Sequence, residues 1–163
     1  MKKITPCLWF DGNAEEAVKF YTSICKKSKI GKIARFGKEG FEIHGGRQGT
    51  VLSIEFELNG QSFMALNGGP QFKFNEAVSF QIFCKTQKEI DYYWTKLCAG
   101  GDPRAQQCGW LKDKFGLSWQ IVPVILGKMM ADKDIKKADR VMEALLQMKK
   151  LDIKTLEQAY KGK

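Results

Sequence analysis

Histidine is almost missing from this chain. Among 163 residues there is one, His44, so a centre built on several imidazoles has no donors to draw on. Cysteine is present five times, an odd number with no CxxC spacing, which argues against a disulfide framework and a thiolate metal site alike. No apolar run approaches the roughly 20 residues of a membrane span, and Asp11-Gly12 interrupts the N-terminal segment too early for a secretory leader. There is no GxSxG elbow, no P-loop and no Cys/His pair at a family-specific spacing. These absences predict a cytoplasmic protein without a membrane partner. Cys7, Cys84 and Cys98, in apolar strand or helix patterns, read as small core residues.

Charge is plentiful. Twenty-seven basic residues against 18 acidic ones give a net charge of +9. The lysines are dispersed, and the densest group, Lys26, Lys27, Lys29 and Lys32, falls at a helix end where cations oppose the helix dipole. No base-stacking or groove-reading motif accompanies them, so nucleic acid is not the expected partner.

The chain repeats itself. At a shift of 73 positions, Leu8 to Ile24 lies over Gln81 to Leu97, with Glu16 on Glu89, Tyr21 on Trp94 and Ile24 on Leu97. Both copies read as a strand followed by an amphipathic helix. Asn13 and Thr86 are each followed three residues later by Glu, the signature of a reciprocal N-terminal cap. Between the copies, a strand over 30–36 leads to a loop holding Gly37, Gly40, Gly45, Gly46 and Gly49. Alternating Leu52, Ile54, Phe56 and Leu58 then meet Asn59-Gly60, a hairpin signal, and a return strand over 61–66. The second copy has a strand over 77–84, a helix over 87–99 and two short strands near 109–112 and 117–122, its second strand being poorly marked. The back halves align at a shift of 56, so the first copy carries about 17 extra residues, which the glycine-rich loop absorbs. Beyond Pro123 the pattern is helical, with Asp132 and Asp152 as caps and Met129, Met130, Met142 and Met148 as core residues. The expected parts are 1–70, 71–123 and a helical extension over 124–163.

Two tandem βαβββ modules resemble the vicinal oxygen chelate superfamily, which includes glyoxalase I, extradiol dioxygenases and the bleomycin and fosfomycin resistance proteins. The finer resemblance is to its PhnB-like branch, often labelled 3-demethylubiquinone-9 3-methyltransferase-like. It rests on Lys3 to Gly12 (KITPCLWFDG), Ala14 to Ala17 (AEEA), Ala65 to Pro70 (ALNGGP), Cys108 to Asp113 (CGWLKD) and Phe115 to Gln120 (FGLSWQ). The resemblance implies an α+β fold of curved mixed sheets enclosing a cavity, and pairing of chains into a homodimer. Members of the metal type place ligands on the first and last strand of each module. Here those positions map to Pro6, Met64, Ser79 and Gln120, none of them His or carboxylate, so neither a metal nor another cofactor is expected. A typical methyltransferase would show a glycine-rich turn between strand and helix. Phe10-Asp-Gly-Asn13 and Cys84-Lys-Thr-Gln87 have none.

The resulting expectation is a metal-independent binder of a small molecule. Its site would be walled by Phe74, Ser79, Gln81, Trp110 and Gln120, with Glu55 and Glu57 at the rim. Phe72 is a further candidate for the wall, and Trp9 and Trp119 are expected to pack under the helices. The alternatives are an enzyme on the same scaffold, such as the 3-demethylubiquinone 3-methyltransferase of the label, or an interaction protein.

Overall fold

A computed structural model describes residues 4–163. They divide into two compact units, one running to Phe74 and one from Asn75 onward.

The first unit contains β1 (Cys7–Phe10), α1 (Ala14–Ile24), β2 (Lys29–Arg35), the single turn α2 (Phe41–His44), β3 (Val51–Leu58) and β4 (Gln61–Asn67). Its sheet has the order β1-β4-β3-β2, with β1 parallel to β4 and the other pairs antiparallel. Asn59 and Gly60 both take positive φ, 49° and 80°, which gives the β3–β4 hairpin a twist that suits its strands. Strand alternation sends Leu8, Phe10, Ile54, Phe56, Leu58, Phe63 and Ala65 to one face, all buried. Helix α1 packs on β3 and β4 through Ala14, Ala17, Val18, Tyr21 and Ile24.

Helix α1 does not start as the sequence suggests. Asn13 has no capping hydrogen bond. Instead Asn67, at the end of β4, accepts from the Ala14 N–H through Oδ1 at 3.0 Å and donates through Nδ2 to the Val51 carbonyl at 2.9 Å. One amide thus supplies the cap from across the sheet and ties β3 to it. In the second unit the local device forms. Thr86 Oγ1 accepts from Glu89 N at 3.2 Å, and the Glu89 carboxylate accepts from Thr86 N at 3.3 Å.

The second unit contains β5 (Ser79–Cys84), α3 (Gln87–Cys98), a 3₁₀ turn (Pro103–Ala105), β6 (Trp110–Lys112), β7 (Ser118–Pro123), α4 (Val124–Met130), α5 (Ile135–Leu146) and α6 (Ile153–Lys161). Its sheet, β5-β7-β6, keeps three strands, and the 3₁₀ turn follows α3 where the first unit has β2. Asp113, 2 % exposed, organises the β6–β7 turn. One carboxylate oxygen accepts from Phe115 N (2.8 Å) and Leu117 N (3.1 Å), and the other from the indole N–H of buried Trp119 (2.8 Å).

The helical segment belongs to this unit. Met129, Val141, Leu151 and Leu156 form its core. The Gln87 side chain donates to the Leu151 carbonyl (3.1 Å) and accepts from Ile153 N (2.9 Å), fastening the segment to α3. Asp152 caps α6 as expected, but α5 is capped by Asp134 and not by Asp132, which instead accepts from Asp134 N and the Tyr160 hydroxyl. Met142, expected in the core, is 39 % exposed.

All five cysteines are free thiols. Cys84 is buried and Cys98 half-buried, but Cys7 is exposed because Leu8 and Phe10 take the inward positions of β1. Burial pushes the thiols of Cys25 and Cys84 up to about 11.

Three outcomes follow. Asn67→Ala should cost about 1–3 kcal/mol in urea denaturation, since it strands a helix N–H and a strand carbonyl, whereas Asn13→Ala should cost a few tenths. Because the folded chain raises the Cys25 and Cys84 thiol pKa above the ordinary value of 9.0, their contribution to stability is intact below pH 9 and lost between pH 9 and about 11. Both should resist iodoacetamide at pH 8, read by peptide mass mapping.

Candidate functional site

With helices covering one face of each sheet, the polar residues of alternate positions gather on the other. In the first unit this open face carries Thr5, Glu55, Glu57, Ser62 and Met64. With Lys29, Gly31 and Lys32 they line a groove of about 470 Å³. Glu55 sits opposite Met64, and Glu57 opposite Ser62 and Lys29. Lys29 Nζ lies 3.3 Å from the Glu57 carboxylate. Gly31 has a physical role, since a Cβ there would stand 3.1 Å from the Glu55 carbonyl where β2 bulges over β3.

In the second unit the open face holds a hydrogen-bonded chain of neutral groups. Gln81 Nε2 donates to Gln120 Oε1 at 3.1 Å, and Gln120 Nε2 donates to Ser79 Oγ at 2.8 Å. Trp110 faces Gln120 across the β6–β7 ladder and is half-buried. Phe83, on the same side of β5, is 63 % exposed. Lys112, two residues from Trp110, forms an ion pair with Glu76, whose carboxyl it holds below the usual range by hydrogen bonding. Ser118, opposite both Ser79 and Lys112, is 1 % exposed, and its hydroxyl has no hydrogen-bond partner among the described residues.

The structure therefore brings Ser79, Gln81, Gln120 and Trp110 together in one unit, and Glu55, Glu57 and Met64 in the other. It does not add Phe74 to either group. That ring packs edge-on against the buried Phe10, at 5.3 Å. Trp119 lies under α3's side of the sheet as expected, but Trp9 does not pack beneath a helix. Its indole donates to the Gly69 carbonyl (2.8 Å) and meets Phe72 edge-on at 5.0 Å.

Pro6 is a further correction. The inward residues Leu8 and Phe10 correspond to Ile82 and Cys84, a strand shift of 74, while the helices keep 73. The second unit reaches its helix through Lys85-Thr86, where the first uses Asp11-Gly12-Asn13. A one-residue slip exchanges the two faces of a strand. Thr5, not Pro6, is the counterpart of Ser79, and Thr5 lines the groove with Met64. Pro6 contributes its carbonyl, which accepts from Met64 N at 2.9 Å.

Sequence reasoning missed Thr5, Ser62, Lys29, Lys32, Lys112 and Ser118. Lys112 and Ser62 were within reach, being two residues from Trp110 and Met64 on the same strand faces. Among the described residues no three or more His, Cys, Asp or Glu side chains converge as a metal site would require. Nor, among the described residues, is any helix long and apolar enough to cross a membrane.

This architecture, a helix-backed mixed sheet in each unit, is that of the glyoxalase/bleomycin-resistance fold. Within it, the chain belongs to the family described as 3-demethylubiquinone-9 3-methyltransferase, whose model matches residues 2–122. A PhnB protein from Bacillus cereus, provisionally given the same methyltransferase name, is 39 % identical, with 76 % of this chain and 100 % of that chain covered and a TM-score of 0.64. A protein from Pseudomonas aeruginosa shares the fold at 19 % identity, over 76 % of this chain and 98 % of that one, with a TM-score of 0.58. The fosfomycin resistance protein FosX from Mesorhizobium loti does so at 10 % identity, over 81 % and 100 %, with a TM-score of 0.53. No curated protein matches the chain. Helices α4 to α6 lie beyond the family match.

Ser118→Ala should be neutral or stabilising by up to about 1 kcal/mol, because it deletes a desolvated hydroxyl, whereas Gln120→Ala should destabilise by about 1–2 kcal/mol through two lost hydrogen bonds. Thermal denaturation of the two variants decides the pair.

Proposed function

We propose that this chain is a metal-independent binder of a small organic molecule, held on the sheet faces that the helices leave open. The observation that supports this most directly is the Ser79–Gln120–Gln81 chain beside Trp110. Ser79 and Gln120 occupy positions that the resemblance assigns to metal ligands. Their donors here are a hydroxyl and an amide, turned toward each other at 2.8 Å. Neutral amide and hydroxyl oxygens hold first-row metals weakly beside imidazole or carboxylate sites. The same groups, next to an indole wall, suit a ligand with an aromatic or conjugated body and a hydroxyl or carbonyl edge.

The chain is also proposed to be a homodimer in a reducing, cytoplasmic environment. Strand β2 is a sheet edge whose seven residues are all exposed, a surface that chains commonly cover by association. Five free thiols suit a reducing compartment. Light scattering should give twice the chain mass of 18.5 kDa. A monomer at micromolar concentration would remove the dimer.

Methyl transfer is the second reading, and the family description favours it. It requires a site for a methyl donor, and the strand–helix junctions offer no glycine-rich turn for one. One experiment separates the readings. The protein is purified without chelators, analysed for metals, and titrated with a panel of quinols and hydroxyaromatics with and without EDTA, following tryptophan fluorescence. Saturable binding that EDTA leaves unchanged, and that Gln120→Ala weakens about tenfold, supports the binder. A stoichiometric metal, or binding abolished by EDTA, overturns it. Saturable S-adenosylmethionine binding with methyl transfer to a quinol would replace it with the enzyme.

A further inference from the structure

The glycine-rich segment between β2 and β3 is built more tightly than a spacer requires. Its single turn, α2, is bracketed by Gly40 and Gly45 in the left-handed region, at φ 82° and 66°. His44 locks the turn. Its Nδ1 accepts from Gly46 N at 2.9 Å, its Nε2 faces the Glu39 carbonyl at 3.1 Å, and its ring lies 4.6 Å from that of Phe36. A backbone N–H can only donate and a carbonyl can only accept, so one imidazole tautomer satisfies both contacts. Gly46 must be glycine, since a Cβ there would fall 2.5 Å from the Phe36 ring. Gly49 N donates to the Phe36 carbonyl at 2.9 Å, and the Gly49 carbonyl accepts from Arg35 Nη1 at 3.0 Å.

The locked loop forms one wall of a pocket of about 680 Å³ in the first unit, separate from the groove that holds Glu55 and Glu57. Other walls come from the ends of β1 and β4 and the first turn of α1. Arg35 and Arg47 line the pocket from β2 and the loop, Asp11 from the β1–α1 junction and Glu15 from the first turn of α1. Two of these charges are already engaged, Arg35 on Gly49 and Glu15 on Lys19 at 2.8 Å. The Arg47 guanidinium and the Asp11 carboxylate form no hydrogen bond or ion pair with any described residue. A preorganised loop carrying Arg47, with Asp11 lining the same pocket and neither charge paired with a described residue, is matched by a molecule carrying both charges.

We propose that this pocket binds a small zwitterion, its carboxylate or phosphoryl group against Arg47 and its ammonium group against Asp11. The site is distinct from the open-face site proposed above, and neither depends on the other.

The test follows backbone amide signals of Gly45, Gly46 and Gly49 in the full chain at low salt. The probes are β-alanine and O-phosphoethanolamine, with propionate, inorganic phosphate and ethanolamine as their single-charge halves. Saturable shifts are expected with one of the zwitterions, and the response identifies the acidic group. Each half should bind at least about tenfold more weakly. Arg47→Ala should weaken the zwitterion about tenfold, and Asp11→Asn should erase its advantage over the acidic half. Amide signals outside the loop report whether each variant remains folded, and fluorescence titration with the quinol panel should be unchanged in Arg47→Ala. Absence of saturation by both zwitterions up to about 20 mM, a generous limit for ligands of so few atoms, would overturn the proposal. So would undiminished binding to folded Arg47→Ala.

Discussion

A sheet backed by helices on one side must show its other side to something else, and most features of this molecule descend from that constraint. Side chains alternate along a strand, so every inward Leu8, Ile54, Phe63 or Ile121 obliges its neighbours to face away from the helices. Between them, the outward positions of the two units carry hydroxyls, amides, carboxylates and lysines beside Met64, Phe83 and Trp110. Their polarity is tolerable because water or a ligand can satisfy them, while the same groups beneath α1 or α3 would be desolvated at a cost of several kcal/mol.

The two open faces differ in chemistry. That of the first unit is ionic, with Glu57 held by Lys29 and Glu55 beside Met64. That of the second is chiefly a line of neutral donors and acceptors whose members polarise one another, with one ion pair, Lys112–Glu76, on the β6 side. Amides and hydroxyls both donate and accept, so the second face can adapt to either hydrogen-bonding polarity without titrating.

Helices and hairpins were legible in the sequence because their signals are local. The apolar spacing of α1 and α3, the Thr86–Glu89 box, the Asn59-Gly60 turn and the Asp152 cap all lie within a few residues of what they control. Asn67 was not legible as a cap because its partner, Ala14, is 53 residues away, and Asn13 offered a local candidate that the fold does not use. The face of β1 is not legible from the repeat for a different reason. The strand–helix connection differs in length between the units, so the spacing of the helices does not carry over to the strands, and a strand has no tolerance for an error of one. On the second unit's open face, the shared side of Ser79 and Gln81 is legible because alternation along one strand is a local signal. Phe74 fell outside because loop residues have no periodicity to place them.

The fastening of the helical segment has a consequence for biosynthesis. Leu151 and Leu156 are fully buried, and Gln87 holds the backbone on either side of Asp152. On the ribosome, α3 therefore emerges long before the backbone groups that its Gln87 side chain bonds. The first unit, whose core closes by β4, can reach its final form while the second still waits for its last helix.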